Sequence, residues 1–379
     1  MNIVVFKEFL LHASERFVLD QASQIKKHMV TLVGLNKLKF IDLSCIKHTC
    51  LDQYSKLQVL TYKTFGFSPK LISIIQGIKP DLVHIHMGGD GARFTTIRKK
   101  ITAPVVVTFH GTDATTTDKW KKKSKHLYHS QFPQRRKKLI TSAQHFIAVS
   151  EFVKKSMMRQ GFPEEKITVH YIGLDRDFYS PTQISDKIIR KPTVLFVGRL
   201  VERKGCHFLI QAMSQVQMKI PDAQLIVIGY GPERENLESL AKEMNVNISF
   251  LGVLDRTQIR KQLIASSIFC GPSITLESGE AEGFGMVFLE AQAMGTPVVS
   301  FDSGGIPEAV LQGKTGFLYP EKDVNGLSEG ILTLLTNNEK WREMSEAGIR
   351  FVHDNYDIKV QTGKLESIYD KIIKQWREI

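Results

Sequence analysis

Short apolar runs alternate with helix-like stretches along almost the whole chain. In the first half the runs are rich in Val, Ile and Phe, are bounded by turn residues, and lie at 2–6, 29–33, 81–87, 105–109, 145–149 and 167–172. Runs of this kind are typical of strands buried on both faces of a parallel sheet. Helix-like stretches such as 15–27 and 69–78 lie between them. The first half therefore predicts an open, doubly wound α/β sheet.

The same alternation begins again after a polar, unpatterned linker near residues 178–191. The second set of apolar runs lies at 193–198, 225–228, 248–251, 268–270 and 298–300. We expect two Rossmann-like domains, 1–180 and 191–357, facing a central cleft. Ligands of such open sheets bind at the carboxyl ends of the strands.

The segment 358–379 forms a separate amphipathic helix in this interpretation. Its apolar residues recur at helical spacing and are Leu365, Ile368, Tyr369, Ile372, Ile373, Trp376 and Ile379. Such a stripe indicates one buried face. The helix either caps the second domain or crosses back to the first, and the spacing leaves both places open.

Length and charge narrow the class of protein. A chain of 379 residues exceeds what one core usually organises,. Its 51 Lys and Arg residues against 39 Asp and Glu residues give a net charge of +12, which suits nucleotide phosphates, nucleic acid or an acidic membrane,. Lys7 and Glu8 interrupt the apolar start, and four cysteines make no disulfide framework,. We therefore expect a reduced, cytoplasmic protein.

Residues 198–205, G-R-L-V-E-R-K-G, follow a predicted strand and precede a helix predicted at 206–218. A strand-to-helix turn offers backbone N–H groups and the positive end of a helix dipole to an anion. Arg199 and Lys204 add full charges, and arginine can grip phosphate oxygens with two hydrogen bonds. The alternative is solvated surface charge at the start of a helix.

A second stretch, 282–290, has the same character. Gly283 and Gly285 bracket Phe284, and helical periodicity begins near Gly285. Glycine lets the backbone approach a ligand closely, and the helix start offers N–H groups to a diphosphate. Glu290 could accept hydrogen bonds from ribose hydroxyls, and Glu282 could bind a sugar or stabilise positive charge at an anomeric carbon. Alternatively, both glutamates are ordinary surface charges.

Histidines form a third group of candidates. His110 ends the strand predicted at 105–109 and precedes Gly111, so it should project from the carboxyl edge of the sheet,. His84 and His86 share one face of a strand, which makes a metal pair conceivable, but no third ligand is apparent. A structural role is the alternative for all three histidines.

The stretch E-G-F-G-M-V-F-L-E at 282–290 resembles the signature of the family-4 retaining glycosyltransferases of GT-B fold. Other motifs follow in the order of that family: F-H-G-T-D at 109–113, A-V-S-E at 148–151, G-R-L-V-E-R-K-G at 198–205, S-G-G-I-P-E at 303–308 and G-K-T-G-F-L at 313–318. The agreement spans nearly the whole chain. It implies a nucleotide-sugar donor and transfer of a hexose to an acceptor hydroxyl with retention of configuration.

The resemblance also implies roles for single residues. Its catalytic residues are His110, near the reacting carbon, and Glu282, on the donor sugar. Its donor-binding residues are Arg199, Lys204, Val253, Phe284, Gly285, Met286 and Glu290. Base contacts made mainly by backbone favour UDP as the carrier and leave GDP open. No cofactor and no metal are expected, because the family generally works without a bound metal.

The acceptor side departs from the family pattern. Many relatives have a glycine pair after the first strand, whereas this chain has S-E-R-F at 14–17. That stretch resembles a variant found among enzymes that assemble bacterial polysaccharides, where threonine is more usual than Arg16. The residues assigned to this side are His12, Ser14, Glu15, Arg16 and Asp113. The expected acceptor is a saccharide or a lipid-linked molecule.

Residues 119–138 contain nine Lys and Arg residues and no acidic residue, with Trp120, Tyr128 and Phe132 interleaved. Such a stretch suits an anionic membrane, at about 1 kcal/mol per basic residue near the lipid. It also suits nucleic acid or a solvated cationic helix. The resemblance favours a peripheral position at the inner face of the cytoplasmic membrane.

Two other functions stay open at this point. One is a sugar-nucleotide epimerase on the same fold, which needs no acceptor. The other is a non-catalytic, basic membrane-binding protein with a degenerate sugar site. A Rossmann-type dehydrogenase is disfavoured because no G-x-G-x-x-G follows the first strand,.

Overall fold

The computed structural model describes residues 1–11, 15–38, 41–124, 127–181 and 191–378. Two of the acceptor-side candidates, His12 and Ser14, lie outside these residues, as does most of the predicted linker. The chain divides into two compact units. Unit 1 comprises residues 1–173 and 358–379, and unit 2 comprises residues 174–357.

Unit 1 is built on a parallel sheet with the strand order β5-β3-β1-β6-β7-β8-β9 in the described residues. The strands of the unit are β1 (Asn2–Phe6), β2 (Phe9–Leu10), β3 (Met29–Gly34), β4 (Asn36–Lys37), β5 (His48–Cys50), β6 (Leu82–His86), β7 (Val105–Phe109), β8 (His145–Ala148) and β9 (Ile167–Val169). Strands β2 and β4 pair separately. Each of the six apolar runs predicted in this half contains a strand, whereas the short, polar β5 was not predicted.

Helices connect these strands, and three of the helices begin at a serine cap. They are α1 (Arg16–Gln24), α2 (Lys56–Phe65), α3 (Pro69–Ile78), α4 (Gly88–Phe94), α5 (Thr112–Thr115), α6 (Asp118–Lys123), α7 (Leu127–Ser130), α8 (Phe132–Ser142) and α9 (Glu151–Arg159). The hydroxyl groups of Ser55, Ser68 and Ser150 accept hydrogen bonds from N–H groups in the first turns of α2, α3 and α9. Caps of this kind satisfy donors that the helix itself leaves unpaired.

Unit 2 repeats the arrangement, with the strand order β12-β11-β10-β13-β14-β15 in the described residues. Its strands are β10 (Thr193–Val197), β11 (Gln224–Ile228), β12 (Ile248–Gly252), β13 (Ile268–Cys270), β14 (Val298–Phe301) and β15 (Gly316–Tyr319). Its helices are α10 (Cys206–Lys219), α11 (Arg234–Glu243), α12 (Arg256–Ala265), α13 (Met286–Ala293), α14 (Ile306–Ala309), α15 (Val324–Thr336) and α16 (Asn338–Asn355). All the pairings in this sheet are parallel, which agrees with the doubly wound prediction.

The last helix, α17 (Ile358–Arg377), packs within unit 1. Its buried residues Leu365, Tyr369, Ile372 and Ile373 belong to the same core as strands β1 and β3. One carboxylate oxygen of Glu366 accepts hydrogen bonds from the backbone N–H groups of Lys26 and Lys27, at 2.8 and 2.7 Å. Of the two places that the spacing left open, the helix occupies the one in the first unit.

None of the helices in the described ranges combines the length and the apolar character that crossing a bilayer requires.

Tyr369 provides a test of how firmly α17 is attached. Its hydroxyl group lies 2.6 Å from Nδ1 of the buried His84. We expect Tyr369→Phe to lower the free energy of unfolding by about 1–2 kcal/mol, because it leaves a buried ring nitrogen without its partner. Urea unfolding followed by circular dichroism measures the change. Val360→Ala, at an exposed position of the same helix, should stay within about 0.5 kcal/mol of the wild type, and an equal loss in both variants would contradict the assignment.

Candidate active site

The loops that follow β10, β11 and β12 pack against one another through their backbones. The N–H group of Gly198 donates to Ile228 O at 3.0 Å, and that of Gly229 donates to Gly252 O at 2.8 Å. A Cβ atom on Gly229, which has a φ of +146°, would lie 1.8 Å from Gly198 O. These glycines therefore allow the three loops to meet at the carboxyl edge of the sheet, where ligands of open α/β folds bind.

A short 3₁₀ turn, Glu202–Lys204, presents two cations in this region. Gly205 ends the turn with a φ of +66° and begins helix α10. A Cβ atom on Gly205 would lie 1.9 Å from Pro272 O, so no larger residue fits without a shift of the backbone. The turn is thus fixed in place by the chain after β13.

The two cations of this turn bind one carboxylate. Nζ of Lys204 contacts Oε2 of Glu282, and Nη1 of Arg203 lies 3.2 Å from the same oxygen. The side chains of Arg203, Lys204 and Glu282 are only 7, 16 and 13% exposed. Burial alone raises the pKa of the Glu282 carboxyl group, but the neighbouring charges of Lys204 and Arg203 outweigh burial and lower the pKa to about 2. Burial also lowers the pKa of Lys204.

The pairing of Lys204 with Glu282 joins two stretches that the sequence analysis treated separately. Arg203, which that analysis did not select, is the buried arginine, whereas Arg199 is exposed. The sequence signal for Arg203 was its position next to Lys204 within 198–205. Which arginine turns inward depends on the 3₁₀ turn, and the apolar pattern did not predict that turn.

The loop before α13 has the form predicted for it. Gly285 precedes the helix with a φ of +87°, and a Cβ atom there would lie 2.5 Å from the Phe288 ring. Phe284 is buried, Met286 is the first helical residue, and Glu290 lies half-buried further along α13. Helix α13 therefore begins four residues after Glu282, and its first N–H groups lie near the ion pair,.

The S-G-G turn at 303–305 packs against the backbone of this loop. The N–H group of Gly305 donates to Glu282 O at 2.9 Å. A Cβ atom on Gly304 would lie 2.3 Å from Glu282 O, and one on Gly305 would lie 2.2 Å from Gly283 O. The contact gives a physical reason for two adjacent glycines at this point of the chain.

Val253 follows the end of β12 and is 71% exposed. The preceding Gly252 has a φ of +71° and accepts the hydrogen bond from Gly229. Val253 therefore lies at the same edge of the sheet as Gly198 and Gly229. Its apolar side chain faces solvent.

In unit 1, His110 lies after β7 and belongs to a hydrogen-bonded group of rings. Its Nε2 atom is 3.0 Å from Nδ1 of His86, and the two rings stack with centroids 5.2 Å apart. Burial lowers the pKa of His110 to about 3, so its ring is neutral near pH 7. Its Nδ1 atom is buried and has no hydrogen-bond partner within the described part of the chain.

The neighbouring histidine, His84, is fully engaged in hydrogen bonds. Its Nδ1 lies 2.6 Å from the Tyr369 hydroxyl oxygen and its Nε2 lies 2.6 Å from Oγ1 of Thr108. Burial lowers the pKa of His84 to about 3. Across the described ranges, no group of three His, Cys, Asp or Glu side chains is arranged to hold a metal ion. His84 and His86 of β6 thus belong to one polar network with Thr108, His110 and Tyr369.

Asp113, assigned to the acceptor side, has its carboxylate turned toward the backbone. It accepts hydrogen bonds from the N–H groups of Gly88 at 2.8 Å, His110 at 3.0 Å and Gly111 at 2.9 Å. Lys121 donates to the carbonyl oxygen of the same residue at 2.7 Å. Asp113 therefore holds together the chain after β6 and the chain after β7, and it fixes the backbone of His110.

The other acceptor-side candidates that the structure describes, Glu15 and Arg16, make ion pairs. Glu15 lies 3.0 Å from Lys7, and Arg16 lies 2.9 Å from Asp20. Next to Lys7, the buried Glu8 lies 2.6 Å from Arg93. Burial raises the pKa of Glu8 to about 8. Lys7 and Glu8, which interrupt the first apolar run of the sequence, thus begin a buried network of ionisable groups.

The basic stretch 119–138 is only partly a solvated surface. Lys121 is buried with its Nζ atom 4.2 Å from the centre of the Phe132 ring, and Arg136 binds Asp118 through two hydrogen bonds of 2.7 and 2.8 Å. The expectation that Phe132 is an interfacial aromatic is wrong, because it is 3% exposed and packs against Phe109. The side chain of Tyr128 lies outside the described residues. In the described part of the stretch the exposed lysines are Lys119, Lys122, Lys123, Lys137 and Lys138, and Trp120 is exposed as well.

Two protein-family models match the chain. The model described as Glycosyltransferase Family 4 matches residues 54–178, and the model described as Glycosyl transferases group 1 matches residues 182–351. The first match falls in unit 1 and its boundary with unit 2, and the second falls within unit 2. The second match includes both stretches that form the ion pair.

Curated proteins with similar sequences are named as sugar transferases. A GDP-mannose-dependent monoacylated alpha-(1-6)-phosphatidylinositol monomannoside mannosyltransferase of Corynebacterium glutamicum is 35% identical over 206 residues, which are 52% of this chain and 54% of that protein. A putative colanic acid biosynthesis glycosyltransferase of Escherichia coli is 27% identical over 72% of this chain and 67% of that protein. The chain spans about half the length of the mannosyltransferases that it matches.

Solved structures share the fold over nearly the whole chain. The Anabaena protein HepE in complex with UDP and glucose superposes with a TM-score of 0.80 at 20% identity, covering 98% of this chain and 100% of that one. A sucrose-phosphate synthase from Thermosynechococcus elongatus also gives a TM-score of 0.80 at 20% identity, with 99 and 100% coverage. These likenesses confirm the predicted GT-B fold with two Rossmann-like units.

The ion pair yields a prediction on stability and pH. Glu282→Gln should lower the free energy of unfolding by about 3 kcal/mol at pH 6, because it leaves two buried cations side by side. Since the pKa of Glu282 is lowered from 4.5 to about 2 on folding, its stabilisation is complete above pH 4.5 and is lost as the pH falls toward 2,. Urea unfolding at pH 6 and pH 3.5 should show the difference shrinking, whereas the exposed Glu235→Gln should cost little at either pH.

Proposed function

Because this chain belongs to the family-4 glycosyltransferases of GT-B fold, we propose that it transfers a hexose from a nucleoside-diphosphate sugar to an acceptor hydroxyl group. The observation that carries the proposal is the buried pairing of Lys204 and Arg203 with Glu282. Two cations and one anion leave a net positive charge at the start of helix α13. A diphosphate is the ligand chemistry that such a site favours.

In this proposal unit 2 binds the donor. Lys204 and Arg203 neutralise the diphosphate, the N–H groups at the start of α13 add hydrogen bonds, and Arg199 contributes from the exposed rim. Glu282, whose carboxylate is ionised at neutral pH, is held by the same cations and contacts the sugar. Glu290 binds the ribose, and the backbone near Val253 contacts the base.

The reaction breaks the bond between the anomeric carbon and the diphosphate oxygen and forms a bond to the acceptor oxygen. The acceptor hydroxyl gives its proton to the departing diphosphate, so no separate base is required. Negative charge grows on the diphosphate in the transition state, where the buried cations stabilise it more than in the ground state. Retention of the anomeric configuration follows from the family assignment.

His110 acts from unit 1 as a neutral imidazole. His86 fixes one ring nitrogen, and Asp113 fixes the backbone on both sides of the residue. The other ring nitrogen, Nδ1, is then the atom available for a ligand oxygen. In this view His86 and Asp113 are positioning residues, and Asp113 does not contact the acceptor.

The proposed acceptor is a saccharide or a lipid-linked molecule in cell-surface polysaccharide synthesis. The relatives named for phosphatidylinositol mannosides and colanic acid support this class. The exposed lysines of 119–138 hold the chain against the inner face of the cytoplasmic membrane, where such acceptors reside. Nucleic acid is not favoured, because Lys121 and Arg136 are used within the fold.

UDP was the carrier favoured by the sequence. Two relatives of 35 and 31% identity are named for GDP-mannose, which gives GDP-mannose equal standing with the UDP sugars. The reported relatives are transferases by name, which favours transfer over epimerisation. A non-catalytic membrane-binding protein would need no buried cation pair on an ionised glutamate.

A donor panel tests the proposal directly. We expect one of UDP-glucose, UDP-galactose, UDP-N-acetylglucosamine and GDP-mannose to release nucleoside diphosphate only when an acceptor extract is present. Release without acceptor would indicate hydrolysis, and conversion of the donor to an epimer without release would indicate an epimerase. If none of the donors is turned over, only a binding role is left. Because Lys204 and Arg203 supply the charge in this proposal, 5 mM EDTA should leave the rate unchanged.

Substitution of the cations separates binding from folding. Lys204→Ala should lower kcat/KM at least about 100-fold, since a buried charge on a transition-state oxygen contributes roughly 3 kcal/mol. Arg203→Ala should lower it by a similar factor. Lys219→Ala, an exposed lysine of the same unit, is the matched control and should retain full activity. Wild-type rates in Lys204→Ala with an intact fold would overturn the donor site.

A further inference from the structure

Helix α2 has apolar side chains on two opposite faces. Val59 and Tyr62 are buried in unit 1, whereas Leu57 and Leu60 are 66 and 60% exposed. Leu57 and Leu60 are three residues apart, which places them on neighbouring positions of one helical face. A helix that packs on the inside normally has a polar outside, so the outer face of α2 requires an explanation.

The exposed apolar residues continue beyond both ends of this face. Tyr54, before the helix, is 55% exposed, and Phe65 and Phe67, at its end, are 71 and 45% exposed. Single exposed apolar residues are ordinary, but a cluster on one element marks an interaction site. We call this cluster the outer α2 surface; it consists of Tyr54, Leu57, Leu60, Phe65 and Phe67.

The segment that carries the outer α2 surface is basic. Residues 53–80 include four lysines and no acidic residue. Lys56 is exposed, and Nζ of Lys70 lies 4.4 Å from the centre of the Tyr54 ring. Protein partners usually bury surfaces depleted in lysine. Exposed apolar side chains on a segment that carries lysines complement a surface that is negatively charged outside and apolar beneath.

The outer α2 surface also adjoins the basic helix α8. Gly66, between Phe65 and Phe67, ends α2, and a Cβ atom on it would lie 3.3 Å from Nη1 of Arg135. Lys137 and Lys138 are exposed on the same helix α8. The end of α2 therefore lies next to helix α8.

We propose that the outer α2 surface inserts into the interfacial region of an anionic lipid bilayer, while Lys56 and Lys70 beside it contact the lipid phosphates. This inference rests on the membrane association proposed above and adds the apolar part of the contact. It replaces Phe132, whose ring is buried, with Leu57, Leu60 and Phe65 as the inserting groups. It does not depend on sugar transfer, because docking needs neither donor nor acceptor.

Sedimentation with vesicles tests the proposal on the full chain. We expect binding to vesicles of phosphatidylglycerol and phosphatidylcholine and much weaker binding to phosphatidylcholine alone. The double variant Leu57→Ser with Leu60→Ser should lower the partition coefficient on anionic vesicles at least about tenfold, because each substitution removes apolar area from the bilayer contact. Met218→Ser with Val360→Ser, which changes two exposed apolar residues elsewhere, should bind as the wild type does.

Insertion is measured separately with a fluorescent label. Cys45 is the exposed cysteine, so a Cys45→Ser background allows Leu57→Cys to be labelled with an environment-sensitive dye. We expect a blue shift on anionic vesicles and quenching by nitroxide lipids. A dye that stays in water, or a double variant that binds as the wild type does, would overturn the proposal.

Two further outcomes would also overturn it. A wild-type chain that binds no anionic vesicle would reject the surface and the membrane association together, and the transfer assay with a soluble acceptor would still test the proposed function. A wild-type dimer that the double variant converts to monomer would make a second copy of the chain the occupant of the outer α2 surface.

Discussion

Burying a carboxylate costs several kcal/mol unless cations and hydrogen bonds compensate for the lost water. In this protein Glu282 is compensated by Lys204 and Arg203, which come from the turn after β10, while Glu282 lies in the loop before α13. The ion pair therefore connects the two stretches on which donor binding depends. Each partner needs the other in order to be buried, and the loops must be rigid for the contact to persist.

That rigidity comes from close packing of the loop backbones, which is possible because glycines have no side chain to keep the loops apart. Gly205 lies against Pro272 O, and Gly304 and Gly305 lie against the backbone of the Glu282 loop. In unit 1 a carboxylate has the corresponding role, since Asp113 binds N–H groups from the loops after β6 and β7. The two units thus use different devices, close backbone packing in one and a side-chain clamp in the other, to hold charged or polar groups at a sheet edge.

The sequence predicted the features that depend on the periodicity of apolar residues and on the order of the motifs. Buried parallel strands are continuous apolar runs, so β1, β7 and β10 were found with their observed limits or within one residue of them. Lys204 and Glu282 were selected individually, but their contact was not predicted, because it joins positions 78 residues apart through a turn with no apolar signal. The inward direction of Arg203 and the backbone contacts of the Asp113 carboxylate were not predicted for the same reason. The direction of a polar side chain in a loop is decided by packing that no local pattern records.

The position of α17 has a consequence for how the protein is made. The core of unit 1 includes Leu365 and Tyr369 together with Ile3 and Leu32. A ribosome delivers the whole of unit 2 between these two groups of residues, so unit 2 can close while unit 1 still lacks one of its helices. The hydrophobic surface that α17 covers stays open to water during that interval. Chaperone binding during synthesis should therefore concentrate on the first unit, although its strands leave the ribosome first.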